Sequence, residues 1–106
     1  MLNAMYIANK RAIKKEQKAK TIYCGRGSAL GNPFAMKGEN ERDKVCDLYQ
    51  LWFKKQVSVQ TPSVVRQLIE IVEAATKGIV YLECYCAPKR CHCETIRDYI
   101  ENLTGN

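Results

Sequence analysis

Residues 61–86 read TPSVVRQLIEIVEAATKGIVYLECYC and join a helix pattern directly to a strand pattern. Thr61 is a suitable helix cap, Pro62 fits the first helical turn, and Gly78 is typical of a residue that follows a helix. Apolar residues recur between these signals at helical spacing, and we expect five of them to face the core: Val65, Leu68, Ile69, Val72 and Ala75. The segment 79–86 that follows begins apolar on both faces, which is typical of a strand buried in an α/β sheet.

The rest of the chain supplies two more strand patterns and two more helix patterns. Strands are predicted at Met5–Asn9 and at 21–24, where the second ends at a glycine. A helix over about 41–56, capped by Asn40, has an apolar face made of Val45, Leu48, Tyr49, Trp52 and Phe53. A last helix begins near Cys91, and its inward-facing residues are Ile96, Tyr99, Ile100 and Leu103. This order predicts an α/β fold with a short, mostly parallel sheet flanked by about three helices.

The composition fits one domain that spans residues 1–106. The chain is 46% hydrophobic and 26% charged, which excludes a wholly disordered, collagen-like or coiled-coil protein. Its longest uncharged apolar stretch, 79–82, is far shorter than the roughly 20 residues that a membrane-spanning helix needs. No apolar secretory core follows Met1. We therefore expect a soluble, cytoplasmic protein without a membrane partner.

Most of the net charge lies in one segment, residues 10–20. The whole chain carries +6, and within this segment only Glu16 opposes the basic residues Lys10, Arg11, Lys14, Lys15, Lys18 and Lys20. The segment is either a solvated arm or a contact to the phosphates of a nucleic acid. It contains no aromatic residue on which bases would stack.

Four of the six cysteines and the only histidine fall in one short run, residues 84–93. Cys84 and Cys86 would share one face of the predicted strand, and a turn would bring Cys91 and His92 back towards them. Zinc is bound tetrahedrally by sulfur and nitrogen donors of this kind. The predicted metal ligands are therefore Cys84, Cys86, Cys91 and His92, and the predicted cofactor is zinc.

Other uses of the same residues stay open. Four thiolates would also suit an iron–sulfur centre. Cys91 or Cys93, at a helix N-terminus beside basic residues, could be a reactive thiol with His92 as its base. Inert packing and disulfide bonding are further alternatives, because buried cysteine behaves as a small apolar residue.

A glycine-rich loop follows the second predicted strand, and its residues 25–34 read GRGSALGNPF. Glycines let backbone N–H groups approach an anion, and Arg26 offers a fork of donors to a phosphate. The loop is neither a Walker A sequence nor a dinucleotide-binding fingerprint, so an ordinary long connection is the alternative. The predicted ligand-binding residues are Gly25, Arg26, Gly27, Ser28, Gly31, Asn32, Phe34 and Tyr85. Of these, Asn32, Phe34 or Tyr85 would contact a base or sugar.

Two motifs resemble the DUF4326 family of small phage and bacterial proteins: YCGRGSALGNPF at 23–34 and CYCAPKRCH at 84–92. The similarity runs from about residue 6 to residue 103. The chain departs from the family's usual pattern at Tyr85, Cys24 and Cys93, so neither of these two cysteines inherits a family role. The resemblance implies a Rossmann-like fold, a phage-encoded cytoplasmic protein and a meeting of the two motifs at the strand ends. It supplies no established activity.

Together these features predict a protein that binds a nucleotide or another phosphorylated small molecule at one site. Hydrolysis or transfer at the ligand's phosphate or glycosidic bond would fit an enzyme, but no catalytic residue is assigned. The alternative is a zinc-stabilised module that binds nucleic acid or a host protein through residues 10–20. The first hypothesis requires that Arg26 and His92 lie at one shared cavity.

Overall fold

The computed structural model describes residues 2–10 and 20–104. The strands in this part of the chain are β1 (Met5–Asn9), β2 (Lys20–Tyr23) and β3 (Val80–Cys84). The helices are α1 (Arg42–Ser58), preceded by a 3-10 turn at Glu39–Glu41, α2 (Pro62–Lys77) and α3 (Cys93–Thr104). The three strands are parallel in the order β1-β3-β2, so the predicted α/β fold of a small Rossmann-like domain is confirmed. Most of the basic segment predicted at 10–20, residues 11–19, lies outside the described residues.

Strand β3 occupies the centre of the sheet, and its end decides the geometry of the cysteine segment. Asn9 of β1 is aligned with Cys84, and Tyr23 of β2 is aligned with Glu83, so all three strands end at the same edge. Because both neighbours stop here, β3 ends at Cys84, two residues before the predicted end. The prediction that Cys84 and Cys86 share a strand face is therefore wrong.

The side chain of Asn9 holds the chain immediately after β3. Its amide nitrogen donates to the carbonyl oxygens of Tyr85 and Ala87 at 3.2 and 2.9 Å. These two side-chain bonds replace the backbone hydrogen bonds that a longer β1 would have formed with this segment. The chain thus leaves the sheet at Cys84 and returns to it only at the start of α3.

Helix α1 buries the face that the sequence predicts, with Val45, Tyr49 and Phe53 in the core. It begins at Arg42, and the N-cap position is occupied by Glu41, not by Asn40, which lies within the 3-10 turn. The buried residues of α2 differ from the predicted set: they are Val64, Ile71 and Ala75.

The buried face of α2 differs from the predicted one because this helix has apolar residues on two sides. The side with Val64 and Ile71 packs in the core, whereas Ile69 is 51% exposed. Helix α3 begins at Cys93, two residues later than predicted, and buries Ile96 and Ile100 but leaves Leu103 exposed. No helix in the described ranges combines the length and apolar character needed to cross a membrane.

Candidate functional site

The two sequence motifs line one cavity of about 140 Å³ at the carboxyl edge of the sheet. The glycine-rich loop contributes Gly25, Arg26 and Asn32. The cysteine segment, residues 84–93, contributes Cys84, Tyr85, Cys86, Cys91 and His92. The expectation that Arg26 and His92 share a cavity is therefore confirmed.

Hydrogen bonds from its own side chains brace the glycine-rich loop. The guanidinium of Arg26 donates to the carbonyl oxygens of Asn32 and Phe34, both at 2.7 Å. The buried side chain of Asn32 donates to the carbonyl oxygen of Val45 at 3.2 Å and accepts from the backbone N–H of Phe34 at 2.9 Å. Arg26 and Asn32 thus fix the shape of the cavity wall as well as lining it.

Two of the glycines are required by the loop itself. Gly27 has a φ of +92°, a conformation that residues with a side chain rarely adopt. A Cβ on Gly31 would collide with the backbone carbonyl of Gly25. Gly27, Ser28, Gly31 and Phe34 do not line the cavity, and their role in ligand binding stays a prediction.

Three backbone N–H groups at the start of the loop have no acceptor among the described residues. The backbone N–H groups of Gly25, Arg26 and Gly27 donate no hydrogen bond to any group of residues 2–10 or 20–104. Successive backbone N–H groups of a turn are a common binding site for anions. Of these three residues, Gly25 and Arg26 line the cavity.

Two more arginines lie in the cavity wall, and each of them is paired. Arg42 donates to Glu39 at 2.7 Å and to the carbonyl oxygen of Arg90 at 3.0 Å. Arg90 forms ion pairs with Asp43 at 3.0 Å and with Asp47 at 2.8 Å. These bonds attach the segment after β3 to the first turns of α1, and they leave Arg26 as the lining arginine without a carboxylate partner among the described residues.

A three-thiol cluster forms the buried end of the site. The Sγ atoms of Cys84, Cys91 and Cys93 lie within 4.8 Å of one another, and the three residues are at most 3% exposed. Cys84 is the last residue of β3, and the other two stand at the start of α3, where the backbone N–H of Cys93 donates to Cys91 Sγ at 3.5 Å. Such a cluster could hold a metal ion.

Hydrogen bonds within the cluster shift the pKa values of the three thiols in different directions. Hydrogen bonds from Cys91 and then Cys93 lower the pKa of Cys84 to about 2. Hydrogen bonding to Cys84 raises the pKa of Cys91, and hydrogen bonding to Cys24, Cys84 and Cys91 raises that of Cys93. Of the three thiols, Cys84 is therefore the one whose surroundings favour the thiolate, the form in which cysteine binds a metal.

Two of the four predicted metal ligands belong to the three-thiol cluster, and two lie outside it. Cys84 and Cys91 are members, whereas Cys86 is half-buried beside the guanidinium of Arg42. Cys93 is the member that the sequence analysis missed. Its spacing of two residues from Cys91 at a helix start was the available signal, but helical contacts alone do not bring it to Cys84.

His92 lies just before α3 and connects the start of that helix to the end of β2, beside the three-thiol cluster. Its Nε2 lies 2.5 Å from the carbonyl oxygen of Cys24 and therefore carries the proton, because a carbonyl can only accept. Its Nδ1 lies 3.6 Å from Cys91 Sγ. Burial lowers the pKa of His92, which favours the neutral ring. Its role as a metal ligand stays a prediction.

Tyr85 stands at the mouth of the cavity. Its ring is 48% exposed and meets the ring of Tyr23 edge-on at 6.1 Å. An exposed aromatic ring is suited to stack on a base or sugar face. The predicted contact from Phe34 has no such position, because Phe34 does not line the cavity.

Comparison with known proteins identifies the family of this chain. Neither the curated proteins nor the solved structures gave a significant match. The family model described as a domain of unknown function, DUF4326, matches residues 7–102. Because this match covers nearly the whole chain, the protein belongs to the DUF4326 family.

Proposed function

We propose that the protein binds a phosphorylated small molecule of nucleotide type in the cavity between the glycine-rich loop and the cysteine segment. The observation that carries this proposal is the state of Arg26. Its guanidinium lines the cavity and contacts carbonyl oxygens, and no carboxylate of the described residues neutralises it. A guanidinium has five N–H donors, of which Arg26 uses two in these bonds, so donors remain for a phosphate.

The size of the cavity indicates which part of the ligand would be enclosed. Its 140 Å³ is well below the roughly 300–1,000 Å³ of pockets that enclose a whole small molecule. A phosphate would therefore bind inside, against Arg26 and the free N–H groups of the loop. The nucleoside would extend outwards over the exposed ring of Tyr85.

Zinc at the three-thiol cluster would brace this site. Thiolates are preferred zinc ligands, and the three-thiol cluster joins the end of β3 to the start of α3. The segment between those two elements lines the cavity together with Arg26. The proposed metal thus has a structural role and does not contact the phosphate.

Calorimetric titration with inorganic phosphate and with a panel of nucleotides tests the proposal. We expect the wild-type protein to bind both classes and Arg26→Ala to bind either one about 10- to 100-fold more weakly, as the loss of a charged hydrogen bond predicts. The matched control is Arg66→Ala, which removes an exposed arginine of α2 far along the chain from the cavity lining.

A second variant separates ligand contact from damage to the loop, because Arg26 also braces that loop. Tyr85→Ala should weaken nucleotide binding and leave inorganic phosphate unaffected. A wild-type protein that binds neither phosphate nor any nucleotide contradicts the proposal, as does an Arg26→Ala protein with wild-type affinity.

A further inference from the structure

A fourth buried thiol lies beside the three-thiol cluster, at the end of β2. The register aligns Tyr23 with Glu83, and the backbone N–H of Cys24 donates to the carbonyl oxygen of Glu83 at 2.9 Å. The next aligned pair along the two strands is therefore Cys24 and Cys84. Aligned residues of neighbouring strands point to the same face, about 4.7–4.9 Å apart. Cys24, the residue immediately after β2, thus has its backbone next to that of Cys84.

Contacts of the thiol agree with this placement. Cys24 is fully buried, and its hydrogen bonding with Cys93 is the largest cause that raises the pKa of the Cys93 thiol. Cys24 Sγ also lies 3.6 Å from the carbonyl oxygen of Ile22 and 4.0 Å from Nε2 of Gln67. Binding of a metal by Cys24 would replace the contact of its thiol with the Ile22 carbonyl.

We propose that Cys24 is the fourth ligand that closes a tetrahedral four-thiolate zinc site with the three-thiol cluster. Zinc binding displaces the thiol protons, which pass to solvent water, and forms four Zn–S bonds. The N–H groups of Cys93 and Gln67 are placed to donate to the resulting thiolates. The inference rests on the zinc binding proposed above and is independent of nucleotide binding.

The positions of Cys24 and His92 favour the thiol as the fourth ligand. Cys24 is fully buried and absent from the cavity lining, whereas His92 lines the cavity. Neither Cys24 nor His92 belongs to the group of mutually close ligand atoms: Cys24 is hydrogen-bonded to Cys93, and His92 Nδ1 lies 3.6 Å from Cys91 Sγ. In the four-thiolate site His92 is a positioning residue, since its Nε2–H binds the carbonyl of Cys24.

X-ray absorption spectroscopy at the zinc edge of the wild-type protein tests the ligand set without any mutation. We expect one zinc ion per chain and four sulfur neighbours at about 2.3 Å. A shell of three sulfurs with one nitrogen or oxygen at about 2.0–2.1 Å overturns the inference. A protein that takes up no zinc overturns it together with the zinc part of the proposed function, while the calorimetric test of nucleotide binding is unaffected.

Variants then identify the fourth sulfur with cobalt(II) as the probe. Cys24→Ala should lose part of the sulfur-to-cobalt charge-transfer absorption and bind zinc at least 10- to 100-fold more weakly, the loss known even for outer-shell partners. Cys46→Ala is the matched control, because Cys46 is buried but outside the three-thiol cluster. His92→Ala should keep the four-thiolate spectrum. A Cys24→Ala protein with the wild-type spectrum, or a His92→Ala protein without it, contradicts the inference.

Discussion

Arg26 and Gly31 show that single residues of the glycine-rich loop serve its shape before they serve a ligand. Arg26 bonds two carbonyl oxygens of its own loop, and Gly31 packs against the backbone of Gly25. A phosphate-binding role for the loop therefore depends on donors that remain after these contacts are made. Those donors are the rest of the Arg26 guanidinium and the N–H groups at the start of the loop.

Replacement of Gly31 by alanine should destabilise the protein. The new Cβ would meet the carbonyl of Gly25, which is backbone and cannot move aside cheaply. We expect a loss of about 1–3 kcal/mol in the free energy of unfolding, measured by urea denaturation. Gly78→Ala is the control, because a Cβ at Gly78 would meet nothing within 4 Å and its φ of 174° suits any residue. Equal stability of the two variants would contradict this explanation.

At the scale of elements, ion pairs attach the start of α1 to the segment after β3. Glu39 accepts from Arg42 at 2.7 and 2.8 Å and pairs with Lys89 at 3.3 Å. The hydrogen bond from Arg42 is the main cause that lowers the pKa of Glu39 from 4.5 to about 2. The folded protein therefore favours the charged carboxylate.

This shift makes part of the stability depend on pH. Because the pKa of Glu39 is lower in the folded than in the unfolded chain, its contribution is present above pH 4.5 and is lost as the pH falls towards 2. Glu39→Gln should be less stable than wild type at pH 7, and the difference should shrink between pH 4.5 and 2. Urea denaturation across this range measures it. A difference that does not change with pH would refute the assignment.

A control for that series is Glu70→Gln on α2. Glu70 is exposed and has no ion pair within the described ranges. Its replacement should leave the urea midpoint at pH 7 near the wild-type value, since surface substitutions usually change stability by less than about 0.5 kcal/mol.

At the scale of the whole molecule, the three-thiol cluster joins the end of β3 to the start of α3, and His92 beside it binds a part of the chain that is distant in sequence. β3 ends at Cys84, α3 begins at Cys93, and His92 binds the end of β2. In a chain of 106 residues the hydrophobic core is small, so a metal that connects these elements should matter to stability.

Removal of the proposed zinc should lower the melting temperature of the protein. A ligand that binds only the folded state at 100 to 1,000 times its Kd contributes about 2.7–4.1 kcal/mol. We expect treatment with a chelator to shift thermal unfolding downwards and added zinc to reverse the shift. Cys84→Ser is the control and should not respond to the chelator. An unchanged melting temperature of the wild type would argue against a structural metal.

Local sequence patterns were sufficient for the type and order of the elements. β1 matches its predicted bounds, and α1 buries Val45, Tyr49 and Phe53 as its spacing indicates. The element ends were less predictable, because they depend on neighbours. β3 stops at Cys84 since β1 and β2 stop there, and that information is not contained in the segment 79–86.

The sequence by itself determined the α/β fold, the place of the glycine-rich loop after a strand and the concentration of thiols before α3, because periodicity, glycine and cysteine spacing are local properties. Only the tertiary structure decided which thiols come together. Cys93 joins Cys84 while Cys86 turns towards Arg42, and Cys24 is placed beside Cys84 by the pairing of two strands about 60 residues apart in sequence. Strand register and helix docking bring such residues together, and neither can be read from the spacing within one segment.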